Sequence, residues 1–340
     1  MILRRVQFPF NSPALPHSFA VTKLVQLGDL LKDDCTVIDT PELHGGVISI
    51  GNFDGVHEGH AALLNENKRL ADNLGGPSVA VVLSPHPAAF LRPDKVPSTL
   101  TWMQRRADLM LRIGVDFLAV CPTSTEFLAL SANDFFQRLV VQRLRAKGIV
   151  EGPNFFFGKG REGNVHTLKT LCDRAAIELT IVQPETIGEK MISSTRIRGL
   201  LQAGEIETAV ELLGQPYQIR GTVIEGEKRG RQIGFPTANL GSIDGVLPGP
   251  GVYGGFAHLN GSASQKRLAA IHIGPNPTFD ASGASKTEVH LLDHSEDLYG
   301  RTLLVDFVTC VRDIKRFDSV DQLKQQLTQD IQTIRNRLTS

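Results

Sequence analysis

The chain has 340 residues, of which 41% are hydrophobic, with 36 basic and 36 acidic side chains. This length suits two domains with apolar cores, and the balanced charge gives no reason to expect nucleic acid or an anionic membrane as a partner. The four cysteines lack the spacing of a metal or disulfide set, which is typical of a reduced compartment. Because no apolar leader follows the basic N-terminal residues and no apolar run reaches membrane-spanning length, we expect a cytoplasmic protein.

Residues 1–45 form a lead-in with little pattern, apart from a short helix expected near residues 23–31. From residue 46 onward, strand-like apolar runs alternate with helical patterns. The strands are expected at 47–53, 78–83, 117–121, 147–151 and 179–182, and the helices at 61–74, 102–112, 132–145, 165–175, 194–203 and 207–213. This alternation indicates parallel pairing, so residues 46–214 are predicted to form a doubly wound α/β domain.

Residues 215–340 show short β-type runs separated by Gly, Pro and Asn, which predicts an all-β barrel or sandwich. The runs lie at 217–225, 251–259, 268–273, 288–292 and 303–309. A terminal helix can be capped by Asp318 or Ser319. Its apolar stripe is expected to pack on the barrel and consists of Val320, Leu323, Leu327, Ile331, Ile334 and Leu338.

The most informative segment is Gly-Asn-Phe-Asp-Gly-Val-His-Glu-Gly-His, which runs from Gly51 to His60 between a predicted strand and a predicted helix. A Gly-rich turn before a helix N-terminus forms a phosphate cradle, and His57 and His60 share one helical face. The residues expected to contact ATP are Gly51, Phe53, Asp54, Gly55, His57, Gly59 and His60. The alternative interpretation is that the two histidines merely cap or pack.

A second Ser/Thr-rich segment opens the helix at residue 194. Ser193, Ser194 and Thr195 supply hydroxyl groups there, and Arg198 can reach a phosphate. The alternative is an ordinary helix cap with surface arginines. Together the two motifs would bracket one triphosphate, whose α-phosphate an acceptor phosphate attacks with release of pyrophosphate.

Two loops that follow predicted strands carry prolines and aromatic residues suited to a flat aromatic ligand. The candidate binding residues are Pro85, Pro87, Phe90, Asn154 and Phe157. The alternative interpretation is that the Phe run belongs to the core and that the prolines stiffen a turn.

The β region carries the string Gly226-Glu-Lys-Arg-Gly-Arg-Gln-Ile-Gly-Phe-Pro-Thr-Ala-Asn239. Thr237 and Asn239 lie two apart in an extended segment, so they point to one side and offer oxygen ligands for Mg²⁺. The residues expected to bind nucleotide are Gly226, Lys228, Arg229, Gly230, Phe235, Pro236, Thr237 and Asn239. The alternative is a charged hairpin that ends in a polar turn.

These motifs, in this order over about residues 45–338, resemble the bacterial bifunctional riboflavin kinase/FAD synthetase family. The resemblance implies an N-terminal nucleotidyltransferase-like (Rossmann-like) domain that joins FMN and ATP into FAD. It also implies a C-terminal riboflavin kinase β-barrel with a terminal helix, in which Glu288 is the catalytic base. In the first domain it assigns His57 and His60 to the ATP phosphates, Ser193–Arg198 to the triphosphate end, and Asn154 with the apolar loops to the flavin.

The chain departs from the family pattern at two places. The loop that usually reads Phe-x-Pro-His-Pro begins here with Leu83 and Ser84, and this change concerns flavin affinity more than chemistry. Lys315 occupies a position that is usually acidic, and Asp313 is the candidate for the missing carboxylate.

The expected substrates are riboflavin, FMN and ATP with Mg²⁺, and self-association, if any, is expected to be weak. Two alternatives to the bifunctional enzyme exist. One is a nucleotidyltransferase for another phosphorylated acceptor, and the other is a flavin-binding regulatory protein with decayed catalysis. The Pro-Thr-Ala-Asn string argues against the first, and the retained His57, His60 and Glu288 argue against the second.

Overall fold

The computed structural model describes residues 23–28, 31, 40–187, 190–227, 229–259, 266–275, 286–294 and 296–339, without the side chain of Arg229. The chain divides into two units. The first runs to Ser193 except for Thr99–Thr101, and the second comprises Thr99–Thr101 and the chain from Ser194 onward. Among the described residues, no helix has both the length and the apolar character of a membrane-crossing segment.

The first unit is built on one parallel sheet. Its strands are β1 (Lys23–Gln26), β2 (Val47–Ile50), β3 (Ser78–Ser84), β4 (Phe117–Pro122), β5 (Gly148–Glu151) and β6 (Glu178–Ile181). They are arranged in the order β1-β4-β3-β2-β5-β6, and each neighbouring pair is parallel. A hairpin of β7 (Thr186–Ile187) and β8 (Lys190–Met191) follows. The predicted α/β class and its five predicted strands are confirmed.

Helices cover both faces of this sheet, which explains why its strands are continuous apolar runs. The helices of this unit are α1 (Glu58–Leu74), α2 (Ala88–Leu91), α3 (Met103–Ile113), α4 (Thr125–Leu128), α5 (Ala132–Phe135) and α6 (Val165–Ala175). Helix α5 continues as a π-helix over Phe136–Arg143. Val82 and Leu118 pack against the α1 and α3 side of the sheet, whereas Val81 and Ile149 pack against the opposite side.

The prediction of a short helix near residues 23–31 is wrong for the residues of that segment that the structure describes. Residues Lys23–Gln26 form β1, which pairs in parallel with Phe117–Val120 of β4. The edge of β4 offers unpaired backbone groups, and pairing with them outweighs a weak local preference for helix. The segment treated as a lead-in therefore contributes an edge strand to the sheet.

The second unit is a closed antiparallel barrel with helices. Its strands are β9 (Tyr217–Ile224), β10 (Ala238–Asp244), β11 (Gly251–Leu259), β12 (Lys266–Gly274), β13 (Lys286–Leu291) and β14 (Thr302–Arg312), in the order β10-β13-β12-β11-β14-β9. Its helices are α7 (Ser194–Gln202), α8 (Ile206–Leu213), α9 (Arg229–Gln232) and α10 (Val320–Leu338). The predicted β-barrel with a terminal helix is confirmed.

Strand β10 is the barrel strand that the sequence pattern did not predict. Its pairing with β9 is interrupted by a bulge between Gly241 and Asp244, where Ser242 has φ 47°. A bulge bends and twists a strand, which helps a sheet of six strands close into a barrel. In the terminal helix, Ser319 caps α10 by accepting a hydrogen bond from the backbone N–H of Gln322.

Candidate active sites

Three loops meet at the carboxyl edge of the parallel sheet. They follow β2, β3 and β5, which are neighbours in the order β3-β2-β5. Because parallel strands end at the same edge, the sheet brings the Gly51–His60 segment close to the loops that begin at Pro85 and Gly152. The Ser84–Pro85 peptide is cis, and the side chains of Pro85 and Asn154 are exposed.

The strand order reverses between β2 and β5, which is where open α/β sheets have their ligand crevice. Backbone pairing between the two strands ends at Ile48 and Ile149. Beyond that point side chains bridge them, because Ser49 Oγ donates to Val150 O at 2.8 Å and the Ile50 N–H donates to Glu151 Oε1 at 2.6 Å. Ligands of open α/β sheets bind in crevices of this kind.

His57 and His60 form a stacked pair at the start of α1. Their ring centroids are 3.6 Å apart with an interplanar angle of 14°. His57 is the N-cap, and its Nδ1 accepts a hydrogen bond from the His60 N–H at 3.2 Å. The neutral His57 ring therefore carries its proton on Nε2. A Cβ on Gly59 would lie 3.4 Å from the His57 ring, so a side chain there would crowd the pair.

His60 lies in an environment that disfavours its charged form. Burial, followed by the effects of His57 and Arg106, lowers the pKa of His60 well below its usual range. Its Nδ1 atom is buried and has no hydrogen-bond partner among the residues that the structure describes. A buried polar atom without a partner is what a bound ligand would satisfy.

The segment between β2 and α1 has an unusual backbone. Phe53 and Val56 have φ values of 47° and 41°, which side-chain-bearing residues rarely adopt. The Asp54 carboxylate is buried and forms an ion pair with Arg106 of α3 at 3.0 Å. Sequence reasoning missed Arg106, although its position on the apolar stripe of α3, beside Ala107 and one turn from Met110, was a signal.

Glu151 is a buried carboxyl group beside the crevice. Burial raises its pKa well above the usual range, despite the opposing effect of hydrogen bonds from the N–H groups of Ile50 and Gly152. An acid whose pKa is raised by folding favours the folded state most below its unfolded pKa of about 4.3. That stabilisation is lost as the pH rises from there through the raised folded pKa.

Replacing Glu151 by glutamine is therefore expected to flatten the pH dependence of the first unit's stability. The glutamine oxygen still accepts the hydrogen bond from Ile50 but has no proton to lose. Trp102 is the single tryptophan of the sequence and lies in the first unit, so its fluorescence during urea unfolding reports on that unit. An equal loss of stability with rising pH in both proteins would contradict the expectation.

The remaining predicted residues of the first site differ in their placement. The boundary between the two units coincides with the start of helix α7 at Ser194. Ser193 therefore belongs to the first unit, and Ser194, Thr195 and Arg198 belong to the second. Their role at the triphosphate stays a prediction. Phe157 is buried in the core, where its ring packs against Phe135 and Phe155. This placement fits the alternative interpretation, in which part of the Phe run is core.

The second site is a cavity of about 650 Å³ in the barrel unit. Six of the predicted residues line it: Gly226, Gly230, Phe235, Thr237, Asn239 and Glu288. Pro236 contributes a backbone carbonyl that lies 2.7 Å from His290 Nδ1. Lys228 lies outside the described residues, as does the side chain of Arg229.

Glu288 lies on β13 between two cross-strand neighbours that also line the cavity. It is opposite Asn239 of β10 and His272 of β12. Burial lowers the pKa of His272, although the nearby Glu288 carboxylate opposes this shift. Sequence reasoning missed His272, which was detectable as a polar residue between Ile271 and Ile273 of a predicted strand.

Thr237 and Asn239, the residues expected to bind Mg²⁺, both line the cavity, and their role as metal ligands stays a prediction. A Cβ on Gly226 would lie only 2.1 Å from Asn239 Nδ2, so the glycine lets the backbone pack directly against this amide. Within the described part of the chain, no group of three or more His, Cys, Asp or Glu residues is arranged to hold a metal. Two neutral oxygen donors suit Mg²⁺ when ATP and water complete its shell.

One wall of the cavity is formed by the end of β14 and by α10. Arg312 pairs with the buried Asp330 at 2.9 Å, whereas its contact with Asp313 is to the backbone carbonyl. The carboxylate that pairs with Arg312 at this wall is therefore that of Asp330, and the role suggested for the Asp313 carboxylate stays a prediction. Part of the apolar stripe of α10 also lines the cavity, through Leu323, Leu327 and Ile331.

Comparisons with known proteins agree with this division of the chain. A family model described as FAD synthetase matches residues 39–196, and one described as riboflavin kinase matches residues 213–338. A crystal structure described as a macrolide-efflux protein from Streptococcus pneumoniae superposes with a TM-score of 0.80 and 32% sequence identity. It covers 92% of this chain and 99% of that one.

Two curated relatives are named bifunctional riboflavin kinase/FMN adenylyltransferase. The Escherichia coli K12 protein is 36% identical over 291 residues, which are 86% of this chain and 92% of the relative. The Bacillus subtilis protein is 34% identical over 290 residues, which are 84% and 90% of the two chains. The chain belongs to the family of bifunctional riboflavin kinase/FMN adenylyltransferases, enzymes that make FMN from riboflavin and ATP and then FAD from FMN and ATP.

Proposed function

We propose that the two reactions take place at the two candidate sites separately. Adenylyl transfer is assigned to the carboxyl edge of the parallel sheet, and phosphorylation of riboflavin is assigned to the barrel cavity. The observation that carries the assignment is the different chemistry of the sites. The first holds a stacked histidine pair at a helix N-terminus, and the second holds the Glu288 carboxylate beside Asn239 and Thr237.

In the first site, a phosphate oxygen of FMN attacks the α-phosphorus of ATP. The bond from that phosphorus to the bridging oxygen breaks, and pyrophosphate leaves with the electron pair. The Nε2–H of His57 and the N-terminus of α1 stabilise the charge on the phosphate oxygens. The exposed side chains of Pro85, Phe90 and Asn154 offer the flavin a surface at the same edge of the sheet.

In the second site, the Glu288 carboxylate accepts the proton of the ribityl 5′-hydroxyl group. The oxygen attacks the γ-phosphorus of ATP, and ADP leaves with the electrons of the broken bond. Thr237 Oγ1 and Asn239 Oδ1 would hold Mg²⁺, which when bound neutralises phosphate charge. Gly226 and Gly230 leave room for these two side chains, because a Cβ would lie 2.1 Å from Asn239 Nδ2 at the first glycine and 3.4 Å from Thr237 Oγ1 at the second.

Product analysis tests the proposal. Purified protein with riboflavin, ATP and Mg²⁺ is expected to form FMN first and FAD afterwards, as resolved by chromatography. A chelator added at the start should prevent the formation of FMN, because the phosphates then lack their counterion. Unchanged riboflavin in the complete mixture would contradict the kinase assignment, and FMN without FAD would contradict the adenylyltransferase assignment. The cytoplasmic location and weak self-association stay predictions.

A further inference from the structure

The Gly51–His60 segment is held in place by a buried arginine from another element. Arg106 of α3 donates from Nη1 to the backbone carbonyl of Asn52 at 3.1 Å and from Nη2 to Asp54 Oδ1 at 3.0 Å. The side chains of Arg106 and Asp54 are only 9% and 6% exposed. A planar guanidinium can bind two acceptors in a fixed geometry, which a lysine cannot reproduce.

The two contacts lie on either side of Phe53, whose backbone has φ 47°. Such a conformation persists only where the surroundings hold it. The Phe53 ring meets the His60 ring edge-on, with centroids 5.3 Å apart. A shift of residues 52–54 would therefore move one of the groups that define the position of His60.

Arg106 also acts on His60 through its charge. The charged and titratable groups that affect His60 are His57, from the same segment, and Arg106, from α3. Both add to the effect of burial and lower the pKa of the His60 ring. Arg106 therefore affects the His60 imidazole in two ways, through the position of residues 52–54 and through its own charge.

We propose that Arg106 is a positioning residue for adenylyl transfer, which holds residues 52–54 so that the His57–His60 pair is fixed in the geometry that receives the ATP phosphates. Arg106 need not touch the substrate for this role, because it acts through Asn52, Asp54 and Phe53. The inference rests on the function proposed above for the histidine pair.

Three variants separate positioning from general destabilisation. Arg106→Met removes both the contacts and the charge, and Arg106→Lys keeps the charge but loses the paired geometry. Arg112→Met removes an exposed arginine from the same helix and is the matched control. If Arg106→Met alone does not fold, the double variant with Asp54→Asn removes the uncompensated carboxylate charge. Fluorescence of Trp102 checks that the first unit is folded.

Arg106→Met is expected to lower kcat/KM for FAD formation from FMN by about 10²-fold, the cost of misplacing reacting groups by about 1 Å. Phosphorylation of riboflavin by the same preparation should change by less than about twofold. The pKa of His60, followed by NMR of its imidazole without substrates, should rise in Arg106→Met and stay near the wild-type value in Arg106→Lys, whose kcat/KM should be intermediate.

Wild-type FAD formation in folded Arg106→Met, or an unchanged His60 titration, would overturn the proposal. The NMR titration needs no turnover, so it tests the electrostatic coupling of Arg106 to His60 even if the function assigned to the histidine pair fails. Conversely, if His57 variants leave FAD formation intact while the His60 pKa still responds to Arg106, the assigned function is wrong and the structural coupling stands.

Discussion

Replacing Glu288 by glutamine is expected to lower the rate of FMN formation by about 10²- to 10⁴-fold, the range that a general base contributes. Glutamine has a similar shape but cannot accept the proton of the ribityl hydroxyl group. FAD formation from supplied FMN should continue at the wild-type rate, because it is assigned to the other unit. Chromatography of the flavins from separate reactions with riboflavin and with FMN measures both rates.

The matched control for this variant is Glu225→Gln, which removes a different carboxylate from the lining of the same cavity. It is expected to form FMN within about threefold of the wild-type rate, since long-range effects between partly exposed charges are small. If Glu225→Gln and Glu288→Gln lost the same amount of activity, the charge of the cavity rather than a specific base would be responsible.

Replacing His57 is expected to have the opposite consequence, in which FMN accumulates and FAD is not formed. A hydrogen-bond donor can stabilise the charge that develops in the transition state. Its loss lowers the rate by about 10²- to 10³-fold. His57 also caps α1, so His57→Ala would remove a structural contact as well as a donor. His57→Asn avoids this ambiguity, because asparagine is a strongly preferred N-cap residue but lacks the Nε2–H.

For the His57→Asn variant, the rate of FAD formation from FMN and the midpoint of thermal unfolding are measured together. A wild-type midpoint with a large loss of FAD formation is the expected result. His166→Asn, which changes an exposed histidine of α6, controls for the substitution itself. Wild-type FAD formation in His57→Asn would show that the histidine serves only as a helix cap.

The sequence predicted the element order well where each pattern is local. Five of the six strands of the parallel sheet, β2 to β6, are apolar runs, and the start of α1 follows from the Gly-rich turn before it. Edge strand β1 was missed, because its four residues are stabilised by pairing with β4 rather than by their own pattern. Strand β10 was missed because its register with β9 shifts between Gly241 and Asp244.

Prediction of the candidate sites was likewise limited to residues that belong to local sequence patterns. His57 and His60 were predicted from a motif that is continuous in the sequence, whereas Glu288 was predicted from the resemblance to the family. Arg106 and Asp330 lie far along the chain from the groups that they bind, at separations of 52 and 18 residues. Such pairing depends on how helices pack on sheets and barrels, and a single sequence does not contain that information in a local form.

Mixing the two disabled proteins tests the central claim, which is that the chain carries two separate active sites. His57→Asn alone should convert riboflavin to FMN and stop there, and Glu288→Gln alone should leave riboflavin unchanged. The equimolar mixture of the two variants, given riboflavin, ATP and Mg²⁺, is predicted to form FAD. A mixture of folded variants that forms no FAD, or a single variant that lacks both activities, would contradict the account.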